Sequence, residues 1–455
     1  MARPKQRPSR LLDAPRVREA ARALVEAVQA EVGERELSAK SYERTLRELG
    51  RMRGRPLPLP LLSSGSGRGA RVRLADGRTV LDFVSGIGTY LFGHADADLL
   101  ETSVVAAACD AVYQGHLMPG AEYHALLKAL LRHTGPRIQH GWLSVSGAMA
   151  NENALKIVLQ KKTPADMIVS FERGFAGRTL ALAEITDKAA YREGLPLSGR
   201  SLYVPFWDPD APHRTLAALD AHLERYQGRI AAMLFELIQG EGGYHTAPPG
   251  FFREVMERCR DADIAVWVDE VQTYARTGEL FAYRTLGLED LVDVVTCGKA
   301  LQGSAVLFRR GMNPKPGLIA GTYAGSTVGL AVGARIVERL ENEGYLGPEG
   351  RIALLGARFE RWLDGLRKRM PRAVGPRSGM GAMQAFVPFD GSPEAVQSTL
   401  RAAFEEGLLV WSAGSNPAKL RMLLPVNTTD EELESGFTIL EKALRRVAEE
   451  FGLPC

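Results

Sequence analysis

Cysteine is scarce in this chain. There are four in 455 residues, Cys109, Cys259, Cys297 and Cys455. No two form a C-x-x-C pair, which argues against a zinc knuckle or a dithiol redox motif. Reduced, scattered thiols fit the cytoplasm. Net charge is also small, +3, so nucleic acid is not an evident partner. No run of about 18 apolar residues occurs, and no segment reads as a membrane span. The basic start, MARPKQRPSR, is followed by no apolar h-region, so a secretory signal peptide is not expected. The early acids Asp13, Glu19 and Glu26 argue against a transit peptide. No internal repeat is visible.

What is present fits a large globular protein. Apolar residues make up 45% and charged residues 24% of the chain, and its length corresponds to about two to three domains. A chain this long buries a core without covalent staples. The charge is uneven: residues 1–60 hold 14 Lys/Arg against 8 Asp/Glu, a net of +6, leaving −3 for the rest. That stretch reads as a helical appendage. Asp13 stands near an N-cap with Pro15 in the first turn, and Leu24, Val25 and Val28 recur at helical spacing. A second helix over 41–52 carries Leu46 and Leu49 on one face. Pro-Leu-Pro-Leu-Pro at 56–60 forbids helix and implies an extended linker. The plain reading is an arm packed on a partner subunit or on its own body. The sharper one is a docking module for an anionic surface.

The segment 70–83 spells a β-hairpin, with Val72 and Leu74 alternating with polar residues and Asp76-Gly77 at the turn. Beyond residue 140, short apolar strands alternate with amphipathic helices: 142–145, 167–171, 231–237, 264–268, 292–296 and 305–308. Near-continuous apolar strands are buried on both faces, which predicts a mostly parallel sheet covered by helices. A helix over 329–342 then leads into a smaller α+β region. It includes strands near 382–386 and 419–424 and a closing helix over 431–451.

Three segments carry chemistry. Ser146-Gly-Ala-Met-Ala-Asn-Glu152 follows a strand and precedes a helix over 150–161. Backbone N–H groups at such a start can hold a phosphate, although a tight strand–helix turn is the plainer reading. Asp269 and Glu270 end an apolar strand at its carboxyl end, where ligands of open α/β sheets bind. A carboxylate there could ligate a metal, act as a base, pair with a cationic ring nitrogen, or merely cap a helix. Finally, Val292-Asp-Val-Val-Thr-Cys-Gly-Lys-Ala300 ends an apolar strand in Lys299. A lysine buried there is costly unless neutralised or bonded; forming an imine removes that cost and uses the amine as a nucleophile. Its alternative is snorkelling to the surface. Together, a phosphate cradle, a strand-end acid and a lysine about 30 residues later meet the needs of a pyridoxal 5′-phosphate site.

At this point the chain resembles the class III (subgroup II) aminotransferases, similar to the ornithine, acetylornithine, 4-aminobutyrate and lysine 6-aminotransferases. The resemblance runs from about Ser66 to Phe451 and rests on eight motifs in order. They are Leu81-Asp-Phe-Val-Ser-Gly-Ile-Gly88, Ser146-Gly-Ala-Met-Ala-Asn-Glu152, Phe175-Ala-Gly-Arg-Thr179, Glu236-Leu-Ile-Gln-Gly-Glu-Gly-Gly243, Asp269-Glu-Val-Gln-Thr273, Thr296-Cys-Gly-Lys-Ala-Leu301, Gly321-Thr-Tyr-Ala-Gly325 and Leu420-Arg-Met-Leu-Leu-Pro425. It implies an α/β protein of the fold-type I pyridoxal phosphate enzymes. Such a protein has a large domain with a mostly parallel seven-stranded sheet and a small α+β C-terminal domain. The corresponding boundaries are 1–60 for the arm and linker, 61–110 for an N-terminal segment joining the small domain, 111–335 for the large domain and 336–455 for the small one.

The resemblance also implies roles. Lys299 carries the cofactor as a Schiff base and, with Asp269, is catalytic. Asp269 pairs with the pyridine nitrogen, Gly147 and Ala148 hold the phosphate, Phe175 and Val271 cover the two ring faces, and Gln272 bonds the phenolic oxygen. Thr322 reaches the phosphate of a neighbouring subunit, implying a homodimer with shared active sites. Arg421, Arg178, Glu241, Glu236 and Gly321 fall at substrate positions. Arg421 grips the carboxylate of glutamate or 2-oxoglutarate, Glu241 pairs with it when an ω-amine is bound, and Arg178 takes a distal carboxylate. No metal is expected. The implied activity moves an amino group, of an ω-amine such as a diamine or amino acid, to 2-oxoglutarate by a ping-pong route. A racemase, aminomutase or decarboxylase of the same fold is the alternative, and a non-catalytic binding scaffold the remote one. Departures from the family pattern cluster at the substrate end. Ala176 replaces a common His, Ile87 replaces the tyrosine of ornithine-specific members, and Ser326-Thr327 follows the inter-subunit segment where Asn-Pro is usual. The loop 300–304 is short, as in lysine 6-aminotransferases, and the N-terminal arm is long.

Overall fold

The chain is described from a computed structural model, which places residues 14–110 and 112–453. The alternation of apolar runs and helices resolves into a central seven-stranded sheet. Its strands are β1 (Ile138–Ser144), β2 (Met167–Phe171), β3 (Ser201–Val204), β4 (Ile230–Phe235), β5 (Ala265–Glu270), β6 (Val294–Cys297) and β7 (Ser304–Arg309). Their spatial order is β1-β7-β6-β5-β4-β2-β3. β3, β2, β4, β5 and β6 pair in parallel, and β7 runs antiparallel to both β6 and β1. The mostly parallel sheet implied by the sequence is therefore present.

Burial explains the apolar runs. Every residue of β2, β4, β5 and β6 is buried. Successive residues of β5 feed opposite faces: Val266 and Val268 join one core cluster, Ala265 and Trp267 the other, as the two-residue period of a strand demands. The element the apolar-run reading missed is β3, an edge strand whose Ser201, Leu202 and Tyr203 are only half-buried.

The hairpin expected near residue 76 pairs Arg71–Leu74 with Thr79–Asp82, and Gly77 takes the positive φ its turn needs (86°). Two strands extend it. Ser63–Arg68 joins antiparallel on one side, and Leu408–Leu409, from far down the chain, joins parallel on the other. A second, antiparallel sheet contains Val374–Met380, Met383–Pro388, Lys419–Leu423 and Trp411–Ala413 in that order. The helix Thr327–Asn342 starts two residues before its expected position because the Ser326 side chain accepts a bond from Gly329 N (2.9 Å). The closing helix spans Asp430–Glu450.

The appendage folds as two helices, Pro15–Glu34 and Ala39–Met52; Asp13, its expected cap, lies outside the described residues. The first helix turns Ala21 and Val25 inward and leaves Leu24 and Val28 about half exposed. It lies on the helix Ala97–Cys109, where Arg18 and Arg22 both reach the buried carboxylate of Glu101 (3.3 and 3.0 Å). Tyr42 ties the second helix to the proline linker: its hydroxyl donates to Pro60 O (2.8 Å) and accepts from Leu62 N (3.0 Å). Within this chain, then, the arm packs on its own body. Among the described residues no helix is long and apolar enough to cross a membrane.

Candidate active site

Five of the eight segments singled out in the sequence lie at the carboxyl ends of central-sheet strands: Gly147 after β1, Phe175 after β2, Glu236 after β4, Asp269 at the end of β5 and Lys299 after β6. In an open α/β sheet this edge forms the ligand crevice.

Asp269 and Glu270 are the last two residues of β5 and point to opposite faces. No helix follows them directly, so Asp269 is not a helix cap. Its Oδ1 accepts from Val271 N (2.8 Å) and its Oδ2 from Asn151 Nδ2 (2.7 Å). Burial pushes its pKa up to about 6, against the pull of those two donors. Glu270 serves the chain that follows it instead, accepting from the backbone Tyr283 N (2.9 Å) and from the Thr273 hydroxyl. Gln272, buried on the same turn, has no partner for Oε1. A Cβ at Gly240 would sit 2.6 Å from that oxygen, so this glycine leaves room for the amide.

The helix after β1 begins at Gly147, three residues earlier than expected, with Ser146 as its cap. Ser146 Oγ accepts from Met149 N (3.2 Å), which leaves the N–H groups of Gly147 and Ala148 without intrahelical acceptors. Position 147 admits no side chain, because a Cβ would lie 2.6 Å from Val271 Cγ1. Phe175 N donates to Glu236 Oε1 (3.0 Å) and Gly240 N to Glu236 Oε2 (2.8 Å). Burial, with Asp269 adding repulsion, lifts Glu236 to about 8. Phe175, Glu236 and Asp269 border one small cavity.

Lys299 opens a short 3₁₀ turn, Lys299–Leu301, with φ at 49°. Burial pushes its amine down to about 8, while Glu241, Asp269 and Glu236 pull the other way. Arg421, only 2% exposed on the strand Lys419–Leu423, holds Glu241 at 2.6 Å. Burial alone would raise Glu241, but Arg421, joined by Lys299 and Lys188, outweighs it and leaves the carboxyl below its ordinary range. Arg421 Nε and the buried Tyr244 hydroxyl have no hydrogen-bond partner among the described residues.

Three expected site residues stand apart from this cluster. Arg178 is exposed, its guanidinium 4.1 Å over the Tyr191 ring. Tyr191 in turn meets Phe175 edge-on at 6.1 Å. Gly321 and Thr322 lie exposed on a surface segment bonded to residues 114–116. Around them Val112, Tyr113, Leu117, Met118 and Tyr323 are exposed. Sequence reasoning assigned no role to Asn151, although it lies inside a quoted motif. Its spacing, one helical turn beyond Gly147, was the available signal. It also overlooked Tyr244 and Arg276; Arg276 is fully buried and donates to Gly88 O (2.6 Å).

The class-III aminotransferase family matches residues 55–444. The 2-aminoadipate transaminase of Pseudomonas putida is 33% identical over 400 residues, covering 83% of this chain and 94% of that protein. The acetylornithine aminotransferase of Thermosynechococcus vestitus is 31% identical over 394 residues, covering 84% and 92%. Among solved structures, a lysine aminotransferase from M. tuberculosis superposes with a TM-score of 0.80 at 22% identity, over 88% of this chain and 99% of that one. The ornithine aminotransferase of Toxoplasma gondii gives 0.76 at 24%, over 86% and 92%.

Proposed function

Because the chain belongs to the class III aminotransferases, enzymes of pyridoxal 5′-phosphate, we propose that it transfers the amino group of an ω-amine to 2-oxoglutarate in two half-reactions. The observation that carries this reading is the closed Arg421–Glu241 pair (2.6 Å) beside Lys299. With its arginine covered, the site favours a donor whose reacting end bears an amine and no carboxylate.

The buried residues fit the cofactor. Asp269 is a desolvated carboxylate with two neutral donors and no cation bonded to it, and it would hold the pyridine nitrogen protonated. Gln272 has an unpartnered amide oxygen; its side-chain amide would meet the phenolic oxygen. Gly147 and Ala148 would offer their free N–H groups to the phosphate, with Phe175 and Val271 on the two ring faces. Bound there, pyridoxal phosphate supplies an electron sink for the electrons of a broken C–H bond. Lys299 Nζ, its pKa lowered to about 8, would take that proton and return it. Glu236, bonded to Phe175 N and Gly240 N, would fix the walls on which substrate rests. In the second half-reaction Glu241 would release Arg421, whose planar fork suits the carboxylate of 2-oxoglutarate. Arg178 is given the distal carboxylate in this reading.

Gly321 and Thr322 require a second copy of the chain. The exposed apolar residues beside them support a homodimer in which Thr322 of one subunit reaches the phosphate held by the other. The free thiols of Cys109, Cys259 and Cys297 suit a reducing compartment, and the cytoplasm is the proposed location.

Lys299→Ala tests the core of the reading. It should abolish the visible absorbance of lysine-bound cofactor and cut amino transfer by at least about 10²–10⁴-fold. Unchanged absorbance removes Lys299 from its role. A panel of amine donors with 2-oxoglutarate, read as glutamate formed, tests the transfer; no glutamate from any ω-amine overturns it.

A further inference from the structure

Next to the Phe175–Glu241 end of the site lies a second cavity, lined by Arg173, Phe175, Lys188, Glu241, Gly242 and Gly414 among others. Its cations are unmatched. Among the described residues neither Arg173 nor Lys188 is in an ion pair with a carboxylate. Lys188 Nζ instead donates to the Tyr191 hydroxyl (3.2 Å), and Arg173 donates to His245 Nε2 (3.4 Å).

A third positive charge stands behind this wall. Lys419 shares a strand face with Arg421, two residues and roughly 7 Å away, yet only Arg421 has a carboxylate partner. Lys419 is 5% exposed, and its Nζ donates to Ser378 Oγ (2.9 Å), which itself donates to Gly243 O (3.1 Å). Burial, then Arg173, pushes Lys419 down to about 8. Burial, Lys419 and Arg173 together push His245 down to about 3, so its ring is neutral.

The acids nearby are already engaged. Asp187 accepts from Arg173 N (2.8 Å) and faces Arg192 (3.5 Å), and Glu241 holds Arg421. Asp187 also lines the cavity, and Glu241 is drawn down by Lys188 as well as by Arg421. Two carboxylates thus face five cations, Arg173, Lys188, Arg192, Lys419 and Arg421, and positive charge is in excess. A buried ammonium without a counter-charge is destabilising, and an anion in the cavity would complete the set.

We infer that this cavity holds the carboxylate of the amine donor, with Arg173 and Lys188 as its direct ligands and Lys419 as the supporting charge beneath. The inference rests on the transfer reading above and sharpens it: the donor is an ω-amino acid whose amine points to Lys299 while Arg421 stays paired with Glu241. A simple amine or a diamine lacks the group this wall is charged to receive.

The test uses the cofactor-loaded protein, pentanoate as the binding probe, and 5-aminopentanoate against pentylamine as donors. In Arg173→Gln with Lys188→Met, the first exposed and the second half-buried, pentanoate affinity should fall roughly tenfold or more. The KM for 5-aminopentanoate should rise to match, and the KM for pentylamine should move less than about threefold. Lys419→Met, checked by thermal melting for retained fold, should show the same selectivity to a smaller degree. Unchanged pentanoate affinity, or equal KM changes for the two donors, overturns the inference. Inorganic phosphate bound as tightly as pentanoate also overturns it, marking a site for a free anion. If no donor yields glutamate while the variants still lose pentanoate, the transfer reading fails and the anion pocket stands.

Discussion

Lys299 is held with a left-handed backbone, φ 49°, a conformation that costs a non-glycine residue about 1–3 kcal/mol and persists where the surroundings impose it. Its amine, pushed down to about 8, is the second imposed property. Only the neutral amine attacks a carbonyl, and raising the pH removes the blocking proton. At pH 7 about a tenth of such an amine is neutral, against less than about a thousandth for an ordinary lysine. Capture of pyridoxal phosphate by cofactor-free protein, followed by stopped-flow absorbance, should therefore quicken about tenfold from pH 6 to pH 7 and level off above about pH 8. A rate still climbing towards pH 10 means an ordinary lysine. Lys299 and Asp269 were legible in the sequence because each ends an apolar run where a charge is out of place. Asn151, Tyr244 and Lys419 were not. Their importance lies in what other segments bring to them, such as the Asp269 carboxylate 118 residues from Asn151.

Elements were legible where one chemistry fills them. β2, β4, β5 and β6 announce themselves because both faces are apolar, although the apolar reading of β5 stopped at 268 and the strand runs on through Asp269 and Glu270. β3 and Ser63–Arg68 were missed for the opposite reason. The latter, Ser-Ser-Gly-Ser-Gly-Arg, has little strand propensity and forms because Arg71–Leu74 offers it a backbone to pair with. The closing helix shows an end signal both local and long-range. Thr429 Oγ1 accepts from Glu432 N (3.2 Å) and Glu432 Oε2 accepts from Thr429 N (3.0 Å), while Glu432 Oε1 also accepts from the buried Ala70 N (3.2 Å). Thr429→Ala removes one cap bond and should cost about 1 kcal/mol. Glu432→Ala also orphans the Ala70 donor and should cost about 1–3 kcal/mol more. Thermal melts check the order: Glu432→Ala must melt below Thr429→Ala, and equal melting points would deny the link to Ala70.

At the scale of the whole molecule, a single chain leaves Leu117 99% and Met118 82% exposed beside Thr322. If a second copy covers them, Leu117→Glu with Met118→Glu should halve the mass seen by sedimentation. Activity should fall by about 10²-fold or more, since a misplaced active-site contact alone costs that much, while far-ultraviolet circular dichroism stays native. A double variant that remains dimeric and active would place the interface elsewhere. The pairing of Thr79–Asp82 with Leu408–Leu409 was not legible, because nothing in either strand names a partner more than 300 residues away. It carries a consequence in time. On the ribosome, at about 5–20 residues per second, the first strand waits roughly a quarter of a minute to a minute for the second to emerge. Through that interval one edge of the N-terminal sheet is open to any passing strand, and its hairpin can close into the finished sheet only near the end of synthesis.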